Sequence, residues 1–226
     1  MITGLPYRPC PLVLAAPSGT GKTTIAHALV DRFPRFVFSV SATTRRAREG
    51  ERDGKDYDFV TRERFHGMIR DGELVEWAEV HGNLYGTPVR NLRAAQDRGE
   101  HVVLDIDVQG ARQIRKRVPE AVLIFVFPPS AEALWERLTA RGTEELGEVR
   151  RRLRAARDEL DQAESFDYIV VNDDLDRAVT RVRAIVEAES HRPGRALDLA
   201  GEVRRMKAAI EEMTRHPSGA SEGTPG

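Results

Sequence analysis

One octapeptide constrains this chain more than any other stretch: Ala16-Pro17-Ser18-Gly19-Thr20-Gly21-Lys22-Thr23. A short apolar run, Pro11-Leu12-Val13-Leu14-Ala15, precedes it and reads as a buried strand. A helical stretch from about Lys22 to Arg32 follows. Strand, Gly-rich turn and helix in that order form the setting of a phosphate-binding loop. The glycines let the backbone turn tightly, so that successive N–H groups converge on phosphate oxygens. The helix adds its positive end. Lys22 supplies a full charge for the β- and γ-phosphates, and the Thr23 hydroxyl suits Mg2+. Alanine stands where the motif's first glycine would be. If that position needed positive φ, Ala16 would cost on the order of 1 kcal/mol. With Thr24 beside it, the loop specifies a nucleoside triphosphate and no more; its dull alternative, a chance Gly-rich turn, lacks a reason for the flanking strand and helix.

The rest of the chain continues the same rhythm. Strands are expected at Phe36 to Val40, His101 to Ile106, Ala121 to Phe127 and Tyr168 to Val171. Helices are expected from Ala131 to Ala140, with Ser130 as its cap, and from about Asp176 to Glu189. Apolar strands alternating with helices indicate an α/β fold: a P-loop NTPase with a parallel core sheet and helices on both faces. The 226 residues, 40% of them hydrophobic, suffice for one sizeable core. Asp105 ends the His101 strand, where a carboxylate in a P-loop enzyme helps hold Mg2+. Asp107, two residues on, would project from the same strand face.

Two segments break the rhythm. Residues 41–99 carry short polar strands (Asp56 to Val60, Leu74 to Val80, Asn83 to Gly86) around a helix at about Arg62 to Asp71, and read as a small mixed or antiparallel insert. Residues 139–164 are dominated by charge and read as a mobile helical lid that buries little. The core is then 11–40, 100–138 and 165–190, after an N-terminal extension at 1–10. Residues 191–226 form a C-terminal extension. There Leu197, Val203, Met206, Ile210 and Met213 suggest an amphipathic helix, docked or fraying, with partner binding as the alternative. The Pro-, Gly- and Ser-rich end from His216 reads as disordered.

Bulk charge excludes some roles. Lys and Arg total 35 against 36 Asp and Glu, for a net charge of −1, which favours neither nucleic acid nor membrane as a partner. Cys10, the only cysteine, lies between prolines and excludes an internal disulfide. No signal-like start or long apolar run is present, so a cytoplasmic location is expected.

The remaining signal is a set of linked segments. Ser39-Val40-Ser41-Ala42-Thr43-Thr44-Arg45-Arg46-Ala47-Arg48-Glu49-Gly50-Glu51 is followed by Gly54-Lys55-Asp56-Tyr57-Asp58-Phe59-Val60. Then come Glu76-Trp77-Ala78-Glu79-Val80-His81-Gly82-Asn83-Leu84-Tyr85-Gly86-Thr87, Leu104-Asp105-Ile106-Asp107-Val108-Gln109-Gly110 and Val171-Asn172-Asp173-Asp174-Leu175. Together with the phosphate loop, this resembles guanylate kinase from about Leu12 to Glu189. The resemblance implies transfer of the γ-phosphoryl of ATP to GMP, and to dGMP, with Mg2+. It implies that Arg45, Arg48, Tyr57 and Tyr85 hold the GMP phosphate. It implies that Ser41, Glu76, Thr87 and Asp107 read guanine. Arg137, Arg141 and Arg152 would act on ATP from the lid, with Asn172 near the ATP base or ribose. Lys22, Arg45, Arg141 and Arg152 would carry catalysis.

The residue chemistry agrees. A phosphate dianion suits two guanidinium forks with tyrosine hydroxyls beside them. Guanine offers N–H donors at N1 and N2, which ionised Glu76 and Asp107 can only accept. Adenine would leave such a carboxylate unpaired, a mismatch that can cost about ten-thousandfold in specificity. Arg141 and Arg152 would lie about three turns apart in one helix, but Gly142 and Gly147 intervene, so they are expected to converge from separate helices. Each assignment has a plainer rival: a solvated basic turn for Arg45 and Arg48, a water-facing strand residue for Glu76, half-buried strand residues for the tyrosines, a surface ion pair for any lid arginine. For the chain as a whole, the rivals are a non-catalytic interaction module, a sugar-phosphate kinase and another nucleoside monophosphate kinase.

Overall fold

The apolar strand residues sort alternately into two cores. In β1 (Leu12–Ala15), Leu12 and Leu14 face one side, and Val13 and Ala15 the other. Burial of both strand faces requires helices above and below, the arrangement of parallel sheets. The computed structural model describes residues 6–80, 82–139 and 146–215. Within them the chain runs α1 (Lys22–Arg32), β2 (Phe36–Phe38), β3 (Ala42–Thr43), β4 (Asp58–Phe59), α2 (Arg62–Arg70), β5 (Leu74–Val80), β6 (Asn83–Pro88) and α3 (Val89–Arg98). It continues with β7 (His101–Ile106), α4 (Val108–Arg117), β8 (Val122–Phe127), α5 (Ala131–Thr139), α6 (Leu146–Leu160), β9 (Tyr168–Val171), α7 (Leu175–Ser190) and α8 (Leu199–Arg215).

The larger sheet is parallel throughout, in the order β2-β7-β1-β8-β9. On one face Ile25 and Leu29 of α1 and Val179 and Val182 of α7 pack on Leu12, Leu14, Ile124 and Val126. On the other, Ala95 of α3 and Ala111 and Ile114 of α4 meet Val13, Leu104 and Phe125. Burying each such Leu, Ile or Phe side chain is worth roughly 1.5–3 kcal/mol. The smaller sheet, β4-β3-β6-β5, pairs β3 with β4 in parallel and is antiparallel elsewhere. Phe65 and Met68 of α2 cover it, packed on Ala42, Leu74 and Leu84.

Several expectations change. β9 is an edge strand, with Val170 buried but Ile169 and Val171 exposed, rather than a strand buried on both faces. α3, α4 and β3 were not expected at all. The lid segment buries more than its charge suggested, because Val149 and Ala156 of α6 pack against Leu134 and Leu138 of α5. Residues 140–145, 216–226 and 1–5 lie outside the described residues, as does His81, so the expectations for Arg141, Gly142 and the C-terminal end fall there. No described helix is long and apolar enough to cross a membrane.

Local signals set the helix starts. The Thr61 side chain accepts from Arg64 N at 3.2 Å to open α2. Asp107 accepts from Gly110 N at 2.8 Å to open α4, and Asp174 accepts from Arg177 N at 2.9 Å to open α7. Such caps each contribute about 1 kcal/mol.

Candidate active site

A cavity of about 690 Å³ opens where β1, β2 and β7 end and the small sheet begins. The C-terminal edge of a parallel sheet is where α/β folds place their ligands. Ser18, Lys22, Thr23, Thr24 and Asp105 line it on the phosphate-loop side. Ser41, Arg45, Arg48, Tyr57, Glu76 and Tyr85 line it from the insert, with Asp107 between and Arg152 reaching in from α6.

The loop is built as its sequence implies. Gly19 and Gly21 have φ of 89° and 85°. A Cβ at Gly19 would lie 2.8 Å from Leu138 Cδ2, and one at Gly21 would lie 2.6 Å from Asn172 Nδ2. Both the backbone conformation and the space therefore demand glycine. Ala16 is different. Asp198 is the only non-glycine with positive φ among the described residues, so Ala16 carries no left-handed strain.

The loop is braced from behind. Arg137 donates to Thr20 O and Asn172 O, both at 3.0 Å, and Asn172 Nδ2 donates to Thr20 O at 2.7 Å. Ala16, Pro17, Gly19, Thr20, Gly21, Arg137 and Asn172 thus form or support the cradle without lining the cavity, and the Asn172 amide is engaged by the loop backbone. Arg152 donates to Ser18 Oγ at 2.7 Å, tying α6 to the loop.

At the floor, Lys22 Nζ pairs with Asp105 Oδ1 at 3.1 Å, and the Thr23 hydroxyl donates to Asp105 Oδ2. Burial works against the Lys22 ammonium, but the Asp105 carboxylate outweighs it and holds the pKa above the ordinary lysine value. Asp105 Oδ1 is buried and accepts no well-directed hydrogen bond. A carboxylate oxygen with unused acceptor capacity beside a threonine hydroxyl suits a hard cation with oxygen ligands. No cluster of three or more His, Cys, Asp or Glu is present among the described residues.

Across the cavity, Arg45 forms a bidentate pair with Glu51, at 2.8 and 2.9 Å. Its guanidinium lies 5.2 Å from the Tyr57 ring centroid, and Tyr57 meets Tyr85 edge-on at 6.0 Å. Glu51 Oε2 also accepts from the Arg48 backbone N–H at 2.7 Å. Glu51 therefore holds the Arg45 guanidinium and the backbone at Arg48, a role its sequence position did not disclose. Its pairing with Arg45 keeps its own pKa below the ordinary carboxylate range.

Deeper in, Glu76 is only 3% exposed, and the Thr87 hydroxyl donates to its Oε1 at 2.6 Å. Burial pushes the Glu76 carboxyl up to about 7; the Thr87 hydrogen bond pulls it back, while the Asp107 carboxylate adds to the rise. Thr87 is fully buried behind Glu76 and does not line the cavity. Asp107 does not continue the β7 strand beside Asp105: the strand ends at Ile106, and Asp107 Oδ1 is engaged in capping α4. Glu159 on α6 was also missed. Burial raises it to about 7, with Lys22 lowering it and Asp107 raising it. A carboxylate among arginines in a charged helix gives no sequence signal of its own.

One cavity is thus lined by a loop of phosphate-binding sequence on one side and by two arginines and a buried acid from the insert on the other. A family model described as guanylate kinase matches residues 8–189. This chain belongs to the guanylate kinase family. It is 46% identical over 194 residues to the guanylate kinase of Geobacter sulfurreducens, covering 86% of this chain and 96% of that one. It is 52% identical over 182 residues to that of Nitratidesulfovibrio vulgaris, covering 80% and 88%. Among solved structures, guanylate kinase from Anaplasma phagocytophilum shares 37% identity and a TM-score of 0.73, over 87% of this chain and 94% of that one. The fold is accordingly that of a P-loop NTPase, as the guanylate kinase match requires.

Proposed function

We propose that this guanylate kinase transfers the γ-phosphoryl of ATP to GMP, and to dGMP, with the acceptor held in the cavity between the phosphate loop and the insert. The observation that carries the reading is Glu76: a carboxylate almost wholly buried at the cavity's inner end, opposite a phosphate loop. Such a group is costly unless a ligand supplies donors to it. Guanine supplies them at N1 and N2; adenine does not. Glu76 and Asp107 would accept those donors, and Ser41 would complete the base contacts. Thr87 would act through Glu76, holding its carboxylate in place.

The reaction needs no protein nucleophile. A GMP phosphate oxygen attacks the γ-phosphorus, and the bond to the ADP oxygen breaks. The backbone of residues 16–21, with Lys22, would hold the ATP phosphates, and Arg45, Arg48, Tyr57 and Tyr85 the acceptor phosphate. Arg152 approaches from α6 and would neutralise charge on the transferred group; Arg141 shares that proposed role. Thr23 and Asp105 would hold Mg2+, which neutralises phosphate charge and orients the polyphosphate. Closure of the α5–α6 segment would exclude water, so that ATP is not hydrolysed.

The test is ADP formation from ATP and Mg2+ with GMP, dGMP, AMP, CMP, UMP or a sugar phosphate as acceptor. Turnover confined to the guanine nucleotides supports the reading. Equal turnover with AMP would remove Glu76 from base recognition, and no turnover with any acceptor would favour a non-catalytic interaction module.

A further inference from the structure

The helix α8 leaves its body almost at once. Its base is fixed: Tyr7 and Ala196 form an antiparallel bridge, Leu197 N donates to Pro6 O at 2.7 Å, and Arg195 Nη2 donates to Glu120 O at 2.8 Å. Asp198 opens the helix by accepting from Gly201 N at 3.1 Å. Beyond Glu202, every residue to Arg215 is exposed. Val203, Met206, Ile210 and Met213 are 49%, 47%, 52% and 70% exposed. The helix has 17 residues and lies beyond the family match, which ends at 189. An isolated helix of that length is marginal in water, so an apolar stripe left uncovered is a standing cost.

The stripe has a specific period. Leu199, Val203, Met206, Ile210 and Met213 alternate steps of four and three, the a/d seam of a coiled coil rather than the broader face of a helix docked on a globule. Val203 and Ile210, both β-branched, fall at a; unbranched-at-Cβ Leu199, Met206 and Met213 fall at d. In a parallel coiled coil, β-branched residues at a favour two strands. The flanking charges agree. Glu202 falls at g and Lys207 at the following e, so a parallel pair sets each Glu202 against the Lys207 of the other copy.

Other covers fit less well. Residues 216–226 hold no large apolar side chain that could fill the seam. A lipid surface would want a basic polar face, but Arg204, Arg205, Lys207 and Arg215 are nearly balanced by Glu202, Glu211 and Glu212. We infer that α8 pairs with α8 of a second copy of this chain in a short parallel coiled coil, joining two kinase bodies at their C-terminal extensions.

Sedimentation equilibrium of the full chain tests this. The mass is expected to rise from 25.3 kDa towards twice that value between low micromolar and a few hundred micromolar. Ile210→Lys should weaken association at least tenfold while leaving turnover unchanged, because α8 supplies nothing to the cavity. Glu202→Lys should weaken it severalfold, and adding Lys207→Glu in the same chain should restore it. A single-chain mass at all concentrations overturns the inference, as does a dimer indifferent to both Ile210→Lys and Met206→Lys. A mass of three or more chains, or sedimentation of the protein with anionic phosphatidylglycerol vesicles in place of self-association, overturns it equally. So does a monomer whose Tm falls with Ile210→Lys, since that would mean the chain covers its own helix.

Discussion

The Thr87 hydroxyl, which does not line the cavity, donates at 2.6 Å to Oε1 of Glu76, which does. The hydrogen bond orients Glu76 but only partly offsets the effect of burial, and the carboxyl still sits at about 7. If Glu76 reads guanine as proposed, GMP recognition requires the ionised form, because only that form accepts from both guanine donors. Below about pH 7 a proton must therefore leave before GMP binds. The KM for GMP is expected to rise about tenfold per unit as pH falls below that value, with the KM for ATP changing much less. Calorimetry in buffers of different ionisation enthalpy should detect the released proton. Glu76→Gln should abolish both signals while weakening GMP binding. A pH profile that survives in Glu76→Gln would move the titration elsewhere, Glu159 being the other group near 7. The sign for stability is opposite. A carboxyl raised in the fold binds protons more tightly there than in the unfolded chain. Its contribution is thus largest at acid pH and is lost as pH rises from about 4.5 through about 7.

Lys22→Ala removes the cation 3.1 Å from Asp105 and leaves a buried carboxylate without its ion-pair partner. Removal of one preorganised charge from the transferring phosphoryl group costs about a hundredfold to a thousandfold in kcat. On the proposed reading GMP would sit across the cavity, so its dissociation constant should stay within about twofold, measured by calorimetry without ATP. Unchanged kcat would take the loop lysine out of the reaction.

Arg137 bridges two carbonyls, Thr20 O and Asn172 O. Arg137→Ala leaves Thr20 O with the Asn172 amide alone and should lower stability by about 1–2 kcal/mol. The loop loses its brace rather than a ligand, so the KM for ATP should rise severalfold while the KM for GMP holds. Arg137→Lys supplies a point charge without the fork and should recover at most part of either effect. Thermal unfolding and steady-state kinetics on the two variants check this. A change in GMP affinity equal to that for ATP would contradict the brace.

The parts legible in the sequence were those where one physical demand dominates. β1, β7 and β8 read as apolar runs and are buried on both faces; β2 and β9 read the same way but lie at the sheet edges and are only partly buried. The phosphate loop needs glycine twice for conformation, and the sequence shows it. α3 and α4 escaped because few of their residues are apolar: Ala95 is the only buried residue of α3, and in α4 Val108, Ala111 and Ile114 are scattered among arginines. Two-residue β3 is too short for any period to register. In α6, the Val149, Leu153 and Ala156 stripe was hidden by its charged neighbours. At the site, Glu51 was invisible because its role is to hold the Arg45 guanidinium, a contact that local sequence does not show. Asp107 misled in the opposite way, since a strand end and a helix cap can share one residue type.

Gly110 offers the sharpest separation of stability from recognition. It lies in the first turn of α4, and its φ is not positive, so alanine fits the backbone and favours the helix by up to about 1 kcal/mol. The added Cβ, however, would lie 2.5 Å from Glu76 Oε2 and 3.3 Å from Asp107 Oδ1. Glu76 Oε2 is the end of a side chain and can swing away, but only by leaving Thr87 and the position from which it would meet guanine. Gly110→Ala should therefore raise the KM for GMP about tenfold or more, with Tm nearly unchanged and the KM for ATP unaffected. If the effect runs through Glu76, then in Glu76→Gln, where recognition is already impaired, adding Gly110→Ala should cost much less than it does alone. Full additivity in that cycle would mean that Gly110 acts on GMP by some route other than the carboxylate it abuts.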